Sequence, residues 1–164
     1  MDTVRRSSGG VPMTKANVLF VCVDNSFLSL AAEAYLNHTS MGELRAFSAG
    51  PLPREEMVSL TQKVLFTNGM DESGLHPKPW TIFSLPHAPQ PDYIISLQTS
   101  VLLDKQPMWP GQPVKMNWDI CLDENMPRNI KEATDAFHKI KESIDLAISS
   151  KVFSSDSLNW RAAC

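Results

Sequence analysis

The sequence has few of the features that mark nucleic-acid-binding, membrane-spanning or exported proteins. Its 15 Lys and Arg residues are outnumbered by 18 Asp and Glu, so the formal net charge is −3 and no broad basic surface is available for a phosphate backbone. No apolar run approaches the roughly 20 residues that a membrane span needs. Arg5 and Arg6 are followed by Ser-Ser-Gly-Gly instead of an apolar stretch, so no export signal begins there. We therefore predict a cytoplasmic protein that binds neither nucleic acid nor membranes.

Cysteine and histidine are also sparse. The three cysteines are an odd number at wide spacing and form no CxxC pair, which argues against a disulfide framework. The four histidines are dispersed, and none forms a pair with a carboxylate or a cysteine at a spacing typical of metal ligands. The sequence therefore predicts reduced thiols, no metal and no cofactor.

The length of 164 residues fits one domain, since about 100–200 residues per domain is usual, and a hydrophobic content of 43% supports a proper core. We predict a flexible leader over residues 1–15, an α/β domain over 16–150 and a C-terminal tail over 151–164.

The hydrophobic pattern alternates between strand and helix along the domain. Residues 18–23 form a continuous apolar run with three β-branched valines, as expected of a central strand buried on both faces. Further strands are predicted at 44–48, 93–97 and 114–118. Helices are predicted at 29–38, where Ser29 could cap the first turn, at 55–68 and at 128–150, with a short helix near 80–83. This order predicts a single-domain, three-layer α/β sandwich, in which a four-stranded parallel sheet carries helices on both faces.

Cys22 is the first candidate for chemistry, because it lies where the first strand ends and a helix follows. In a parallel sheet this edge is where ligands bind. Backbone N–H groups of residues 23–29 and the positive end of the helix dipole could bind an anion and lower the pKa of the thiol. The alternative is that Cys22 is a small apolar residue at the end of a core strand.

The segment 18–29, followed by Ala32-Glu33-Ala34-Tyr35, resembles the phosphate loop and first helix of the low-molecular-weight protein tyrosine phosphatases and the related arsenate reductases. Similar matches continue as far as residue 150. They include 47–50 (Phe-Ser-Ala-Gly), 68–74, 92–95 and 109–114 (Trp-Pro-Gly-Gln-Pro-Val). The resemblance implies the fold of that family and a cysteine-dependent phosphatase or arsenate reductase chemistry.

The resemblance places Cys22 on the nucleophile, Ser29 on the serine that stabilises the thiolate, and Asn25 on a loop-bracing asparagine. The anion-binding loop would comprise Val23, Asp24, Asn25, Ser26, Phe27 and Leu28. Leu28 stands where the family has the Arg that binds the oxyanion, and Asp24 stands where Gly is usual. Both departures oppose phosphate binding, because the first removes a guanidinium fork and the second adds a like charge.

For the general acid, the resemblance implies Asp123, with Asp119 as the second choice, although the family's Asp-Pro pair is missing. Each is equally consistent with a surface carboxylate. The two cysteines of a thioredoxin-coupled relay would fall near Leu97 and at Gln106, so that relay is absent. Arg54 is the cation that could replace the missing Arg, and its alternative is a solvated side chain at the start of the second helix.

Three functions remain open at this point. The first is a non-catalytic binding or regulatory module whose ligand is a phosphate-like anion or a protein partner. The second is an active phosphatase or arsenate reductase in which Cys22 attacks and Asp123 donates a proton. The third is a thiol sensor that reacts through Cys22 without an Arg. The oligomeric state is not predicted.

Overall fold

The computed structural model describes residues 15–121 and 126–154. Its centre is a sheet of four parallel strands, in the order β2-β1-β3-β4. The strands are β1 (Ala16–Val21), β2 (Leu44–Ala49), β3 (Tyr93–Gln98) and β4 (Val114–Cys121). Because β1 lies between β2 and β3, its continuous apolar run is covered by neighbours on both edges, and the prediction of a central strand is confirmed.

The described residues also form three α-helices, which connect or follow the strands. They are α1 (Leu28–Thr39), α2 (Ser59–Thr67) and α3 (Ile130–Ser149), with 3-10 helices at Trp80–Ser84 and Thr99–Leu103. The predicted helix 55–68 begins four residues too early, because the backbone N–H groups of Arg54 and Val58 donate to the loop after β1. Ser29 does not cap α1 either. Phe27 occupies that position, and Ser29 is a fully buried residue within the helix.

The alternation of side chains along β1 separates two cores. Val18 and Phe20 lie in the larger core with buried residues of all three α-helices. Leu19 and Val21 lie in the smaller core, which the two 3-10 helices cover with Trp80, Phe83 and Val101. The predicted three-layer α/β fold is confirmed, with 3-10 helices forming the second outer layer.

The chain continues to pack on the domain beyond α3. Phe153 is 7% exposed, and its ring meets that of Tyr93 edge to face at a centroid distance of 5.1 Å. Residues 152–154 therefore belong structurally with the core, although the sequence assigned them to the tail. The bounds of the leader and the tail remain predictions, because residues 1–14 and 155–164 lie outside the described part. Within the described ranges, no helix has the length and apolar character required to cross a bilayer.

Candidate functional site

The loop between β1 and α1 lies at the carboxyl end of the sheet, as the sequence predicts. Cys22 is fully buried at the start of this loop, and its Sγ lies 2.9 Å from Ser29 Oγ. Asn25 Nδ2 donates to the same Ser29 oxygen at 2.7 Å. Because that oxygen already accepts from Asn25, the hydroxyl proton of Ser29 is available to Cys22 Sγ. The structure thus brings Ser29 and Asn25 together beside the Cys22 thiol, where the resemblance places them.

The Asn25 side chain also fixes the loop to a distant segment. Asn25 Oδ1 accepts from the backbone N–H of Lys78 at 2.8 Å, and the backbone of Asn25 has a φ of 50°. Asparagine adopts this left-handed conformation at a lower cost than most residues. The side chain therefore braces a tight turn from its inner side.

Burial is the largest influence on the Cys22 thiol, and it raises the pKa above the ordinary value. The Ser29 hydroxyl and the backbone N–H groups of Ser29 and Asn25 lower the pKa in part, while the charge of Asp24 raises it. The sequence predicted a lowered pKa from the helix N-terminus. That prediction was wrong because it left out the cost of placing a thiolate in a fully enclosed position.

Asp24 turns its carboxylate back toward its own loop. Its Oδ1 accepts from the hydroxyl of Ser26 at 2.8 Å and from the Ser26 backbone N–H at 3.3 Å. Its Oδ2 accepts from Nε of Arg54 at 2.7 Å. The carboxylate thus takes a loop amide and a guanidinium, which are the donors that an external oxyanion would need.

Leu28, at the position that the resemblance assigns to Arg, is fully buried and lies in the larger core with Phe27 and Ala31. A side chain in that location contributes packing energy and presents no donor. Another amide of the loop is also occupied, since the backbone N–H of Val23 donates to Gln98 Oε1 at 2.8 Å.

The segment after β2 holds the loop from the other side. The backbone N–H groups of Leu52, Arg54 and Val58 donate to the carbonyls of Val23, Asp24 and Ser26. A Cβ added at Gly50 would lie 2.4 Å from the Cys22 carbonyl oxygen and 2.7 Å from that of Val23. Glycine is therefore required at position 50 by the close approach of two backbones.

A partly buried ion pair lies beside the segment that carries the Lys78 amide. Lys78 Nζ lies 3.9 Å from Glu33 Oε1 and donates to the Ser48 carbonyl at 3.1 Å. Ser48 Oγ donates to the same Glu33 oxygen at 2.5 Å. Burial raises the pKa of Glu33 and lowers the pKa of Lys78, and the attraction between the two charges opposes both changes. This pair fixes the position of Lys78, and hence of the amide that braces Asn25.

An open cleft of about 380 Å³ lies above the loop. The residues that line it are Val23, Asp24, Arg54, Gln98, Ser100, Leu103, Asp104 and Met126. Cys22 and Leu28 are absent from this lining among the described residues. A ligand in the cleft would therefore contact Asp24 and Arg54 without reaching the thiol.

The structure describes only one of the two carboxylates predicted as the general acid. Asp123 lies outside the described residues. Asp119 accepts from Thr99 Oγ1 at 2.5 Å and lines a separate groove with Trp118 and Leu146 between β4 and α3. The structure therefore does not bring Asp119 into the cleft.

Arg54, by contrast, reaches the loop and pairs with Asp24, with 54% of its side chain exposed. Neither of the two sequence alternatives, a replacement cation or a solvated side chain, anticipated this pairing. The sequence does not predict that Gln98 and Lys78 contact the loop. The sequence carries no signal for them, because each reaches the loop from more than 50 residues away.

The chain matches known proteins both in sequence and in fold. The sequence model of the low molecular weight phosphotyrosine protein phosphatases matches residues 17–116. The thioredoxin-dependent arsenate reductase of Corynebacterium glutamicum is 27% identical at a TM-score of 0.65, and the match covers 88% of this chain and 66% of that one. No curated protein sequence matches the chain.

Two other solved structures share the fold at lower identity. An arsenate reductase in the phosphate binding state is 22% identical at a TM-score of 0.67, covering 82% of this chain and 98% of that one. The low molecular weight protein tyrosine phosphatase from T. tengcongensis is 22% identical at a TM-score of 0.66, covering 83% and 99%.

Proposed function

The chain belongs to the low-molecular-weight phosphotyrosine protein phosphatase family, which comprises cysteine-dependent phosphatases and arsenate reductases, and we propose that it is a binding or regulatory member of this family without turnover. The observation that carries this proposal is the position of the Asp24 carboxylate, which accepts from the Ser26 backbone N–H and from Arg54. An incoming phosphate or arsenate would have to displace it and would be repelled by it.

The surroundings of the thiol support the same proposal. Attack by Cys22 needs a thiolate, and burial raises the pKa of that thiol. Attack also needs a cation that stabilises the charge developing on the oxyanion, and the loss of a single such donor commonly costs about 10²–10³ in rate. The Leu28 side chain lies in the core, and Arg54 is engaged by Asp24.

A second candidate function is an active phosphatase or arsenate reductase. It is favoured by the retained contacts of Cys22 with Ser29 and of Ser29 with Asn25, at 2.9 Å and 2.7 Å, which are the contacts expected around a nucleophilic thiol. The thiol-sensor function is less well supported, because a fully buried sulfur is poorly placed for oxidation.

Hydrolysis of p-nitrophenyl phosphate and reduction of arsenate by the purified protein test the proposal. Wild type and a Cys22→Ser variant should give the same rates, because the thiol does not participate. The isosteric variant retains a hydrogen-bonding group beside Ser29, so a folding defect is not expected to confuse the comparison. A Cys22-dependent rate within about tenfold of an active family member would establish the enzyme function instead.

A further inference from the structure

We propose that the free edge of β4 is an interface at which two copies of the chain pair as antiparallel strands, with Asn117 on the two-fold axis. In the sheet order β2-β1-β3-β4, β4 pairs with β3 on one side, and no described strand pairs with its other side. Such an edge presents unpaired N–H and C=O groups to another strand. Residues 115–118 do not line the described part of the cleft above the loop, so this inference goes beyond the proposed function.

The backbone of β4 directs hydrogen-bonding groups outward at Lys115 and Asn117. The N–H of Val114 donates to the Asp92 carbonyl, which lies on the β3 side. Because successive residues of a strand direct their backbone groups to opposite edges, those of Lys115 and Asn117 are directed away from β3. In an antiparallel pair, two residues directly opposite each other can exchange both N–H···O bonds. Asn117 is therefore able to pair with Asn117 of a second copy.

The charges along β4 are self-complementary when Asn117 lies on the axis. Lys115 is then opposite Asp119 of the second copy, and by symmetry the same pair forms twice. Both side chains are exposed, and Lys115 has no ion-pair partner among the described residues. The Thr99 hydroxyl and the Asn117 side-chain amide both donate to Oδ1 of Asp119. Its Oδ2 has no partner within the described ranges and is available to a lysine.

Other registers lack this match. With Lys115 or Asp119 on the axis, two like charges meet directly, which destabilises a strand pair. With Met116 on the axis, Lys115 is opposite Asn117, and with Trp118 on the axis, Asp119 is opposite Asn117, so neither register forms an ion pair. Charged side chains on an edge strand usually oppose pairing with other chains. On β4 the same charges select a single register.

The apolar face of β4 supplies burial in the same register. Met116 is then opposite Trp118 of the second copy, and both residues line a groove of about 400 Å³ between β4 and α3. Leu146 of α3 lines the same groove and is 65% exposed. Pairing of two copies joins their four-stranded sheets and brings the two grooves together on one face. Burial of apolar surface thus adds to the hydrogen bonds of the paired edges.

Sedimentation equilibrium of charge variants tests the interface. We expect wild type to form reversible dimers at concentrations up to about 1 mM. Lys115→Asp places carboxylates opposite each other and should weaken dimerisation at least about tenfold, whereas Lys115→Asp/Asp119→Lys exchanges the two charges and should restore it to within about threefold. Lys63→Asp, on the exposed side of α2, is the matched control, because it changes the net charge equally at a site outside β4.

Disulfide crosslinking tests the register in a protein with Cys121 and Cys164 replaced by Ser. Asn117→Cys should give a disulfide-linked dimer on oxidation by copper phenanthroline, because the two Cα atoms would lie about 5.5 Å apart, within reach of a disulfide. Lys115→Cys is the control, since it would lie at least about 13 Å from its counterpart and should not crosslink.

Wild type that stays monomeric at about 1 mM would overturn the proposal. So would an equal loss of association in Lys63→Asp and Lys115→Asp, which would reflect net charge alone. Equal crosslinking at positions 115 and 117 would also overturn it, because only position 117 meets its own counterpart. The crosslinking result decides the register if either charge variant fails to fold.

Discussion

At the scale of single residues, the chemistry of the loop is decided by where three side chains point. Cys22 and Leu28 are fully buried, whereas Asp24 faces the cleft and pairs with Arg54. The residue types alone suggest a nucleophile with a missing cation. Their placement adds that the thiol is enclosed and that the loop supplies its own anion. A carboxylate fixed within the loop competes with any ligand without a loss of translational freedom, so it has an advantage over an external anion.

The first prediction concerns the Cys22 thiol. Its raised pKa leaves a smaller thiolate fraction near neutral pH than a free cysteine has, so alkylation should be slow at pH 7 and should increase only as the pH rises through the higher pKa. Iodoacetamide labelling is followed against pH in a protein with Cys121 and Cys164 replaced by Ser. We expect a midpoint above about 8.5, the value for a free cysteine. Labelling of the urea-unfolded protein is the control, and a native midpoint below the unfolded one would contradict the prediction.

At the scale of elements, the loop after β1 is held by three other segments at the carboxyl edge of the sheet. Residues 50–58 donate to the loop carbonyls, the Lys78 amide donates to Asn25, and Gln98 at the end of β3 accepts from Val23. Residues 50–58 follow β2, Lys78 lies shortly before the 3-10 helix Trp80–Ser84, and Gln98 ends β3, so the three segments come from separate parts of the chain. The shape of the loop is therefore a property of the whole edge, and it can persist after residues within the loop have changed.

Asn25 should contribute strongly to stability. Asn25→Ala removes the bonds to Ser29 and to the Lys78 amide and places alanine at a φ of 50°, whereas Asn25→Gly removes the same bonds without the backbone cost. Loss of the buried hydrogen bonds should lower the free energy of unfolding by about 1–3 kcal/mol in either variant. Alanine should cost about 1 kcal/mol more than glycine. Urea unfolding measures both values, and a more stable alanine variant would rule out the φ argument.

Gly50 tests the contact between two of these segments. Gly50→Ala places a Cβ against the carbonyl oxygens of Cys22 and Val23, neither of which can move without shifting the loop. We expect a loss of about 2 kcal/mol or more in the free energy of unfolding. Gly69→Ala is the matched control, because nothing lies within 4 Å of its Cβ and only its φ of +68° opposes the change. Equal costs for the two variants would argue against the steric effect at Gly50.

The elements themselves could be predicted from sequence because their signals are local. The apolar run at 18–23 and the three-and-four spacing after residue 128 each predict one element, and the structure places β1 and α3 there. The helix predicted from residue 55 was too long because the chain at its predicted start, through the N–H groups of Arg54 and Val58, bonds to a loop about 30 residues earlier. The Asp24–Arg54 pair and the Gln98 contact depend on the folded arrangement of separate strands, and no local pattern encodes them.

At the scale of the whole molecule, β3 runs from the candidate site to the opposite edge of the sheet, where the chain after α3 packs against it. Gln98, its last residue, accepts from the loop after β1, while Tyr93, its first residue, packs against the chain beyond α3. The two ends of the strand are separated by about 17 Å at 3.3 Å per residue. Changes at the Tyr93 end should therefore affect the stability of the fold more than the geometry of the loop.

Phe153 allows that separation to be tested. Its ring lies against Tyr93, whose hydroxyl donates to the Ser154 carbonyl at 3.3 Å, so the chain after α3 closes one end of the larger core. Phe153→Ala should lower the free energy of unfolding by about 3 kcal/mol, whereas Phe153→Leu keeps most of the volume and should cost less than about 1.5 kcal/mol.

The NMR shifts of the Asn25 side-chain amide should remain those of wild type in both variants, because the loop is held by contacts at the other end of β3. Ser29→Ala, which removes the hydrogen-bond partner of the Asn25 side chain, gives a reference change in those shifts. A change of that size in a Phe153 variant would mean that the two ends of β3 are coupled through the strand. If Phe153→Ala lowered the free energy of unfolding by less than about 1 kcal/mol, residues 152–154 would contribute little to the core and would belong to the predicted C-terminal tail.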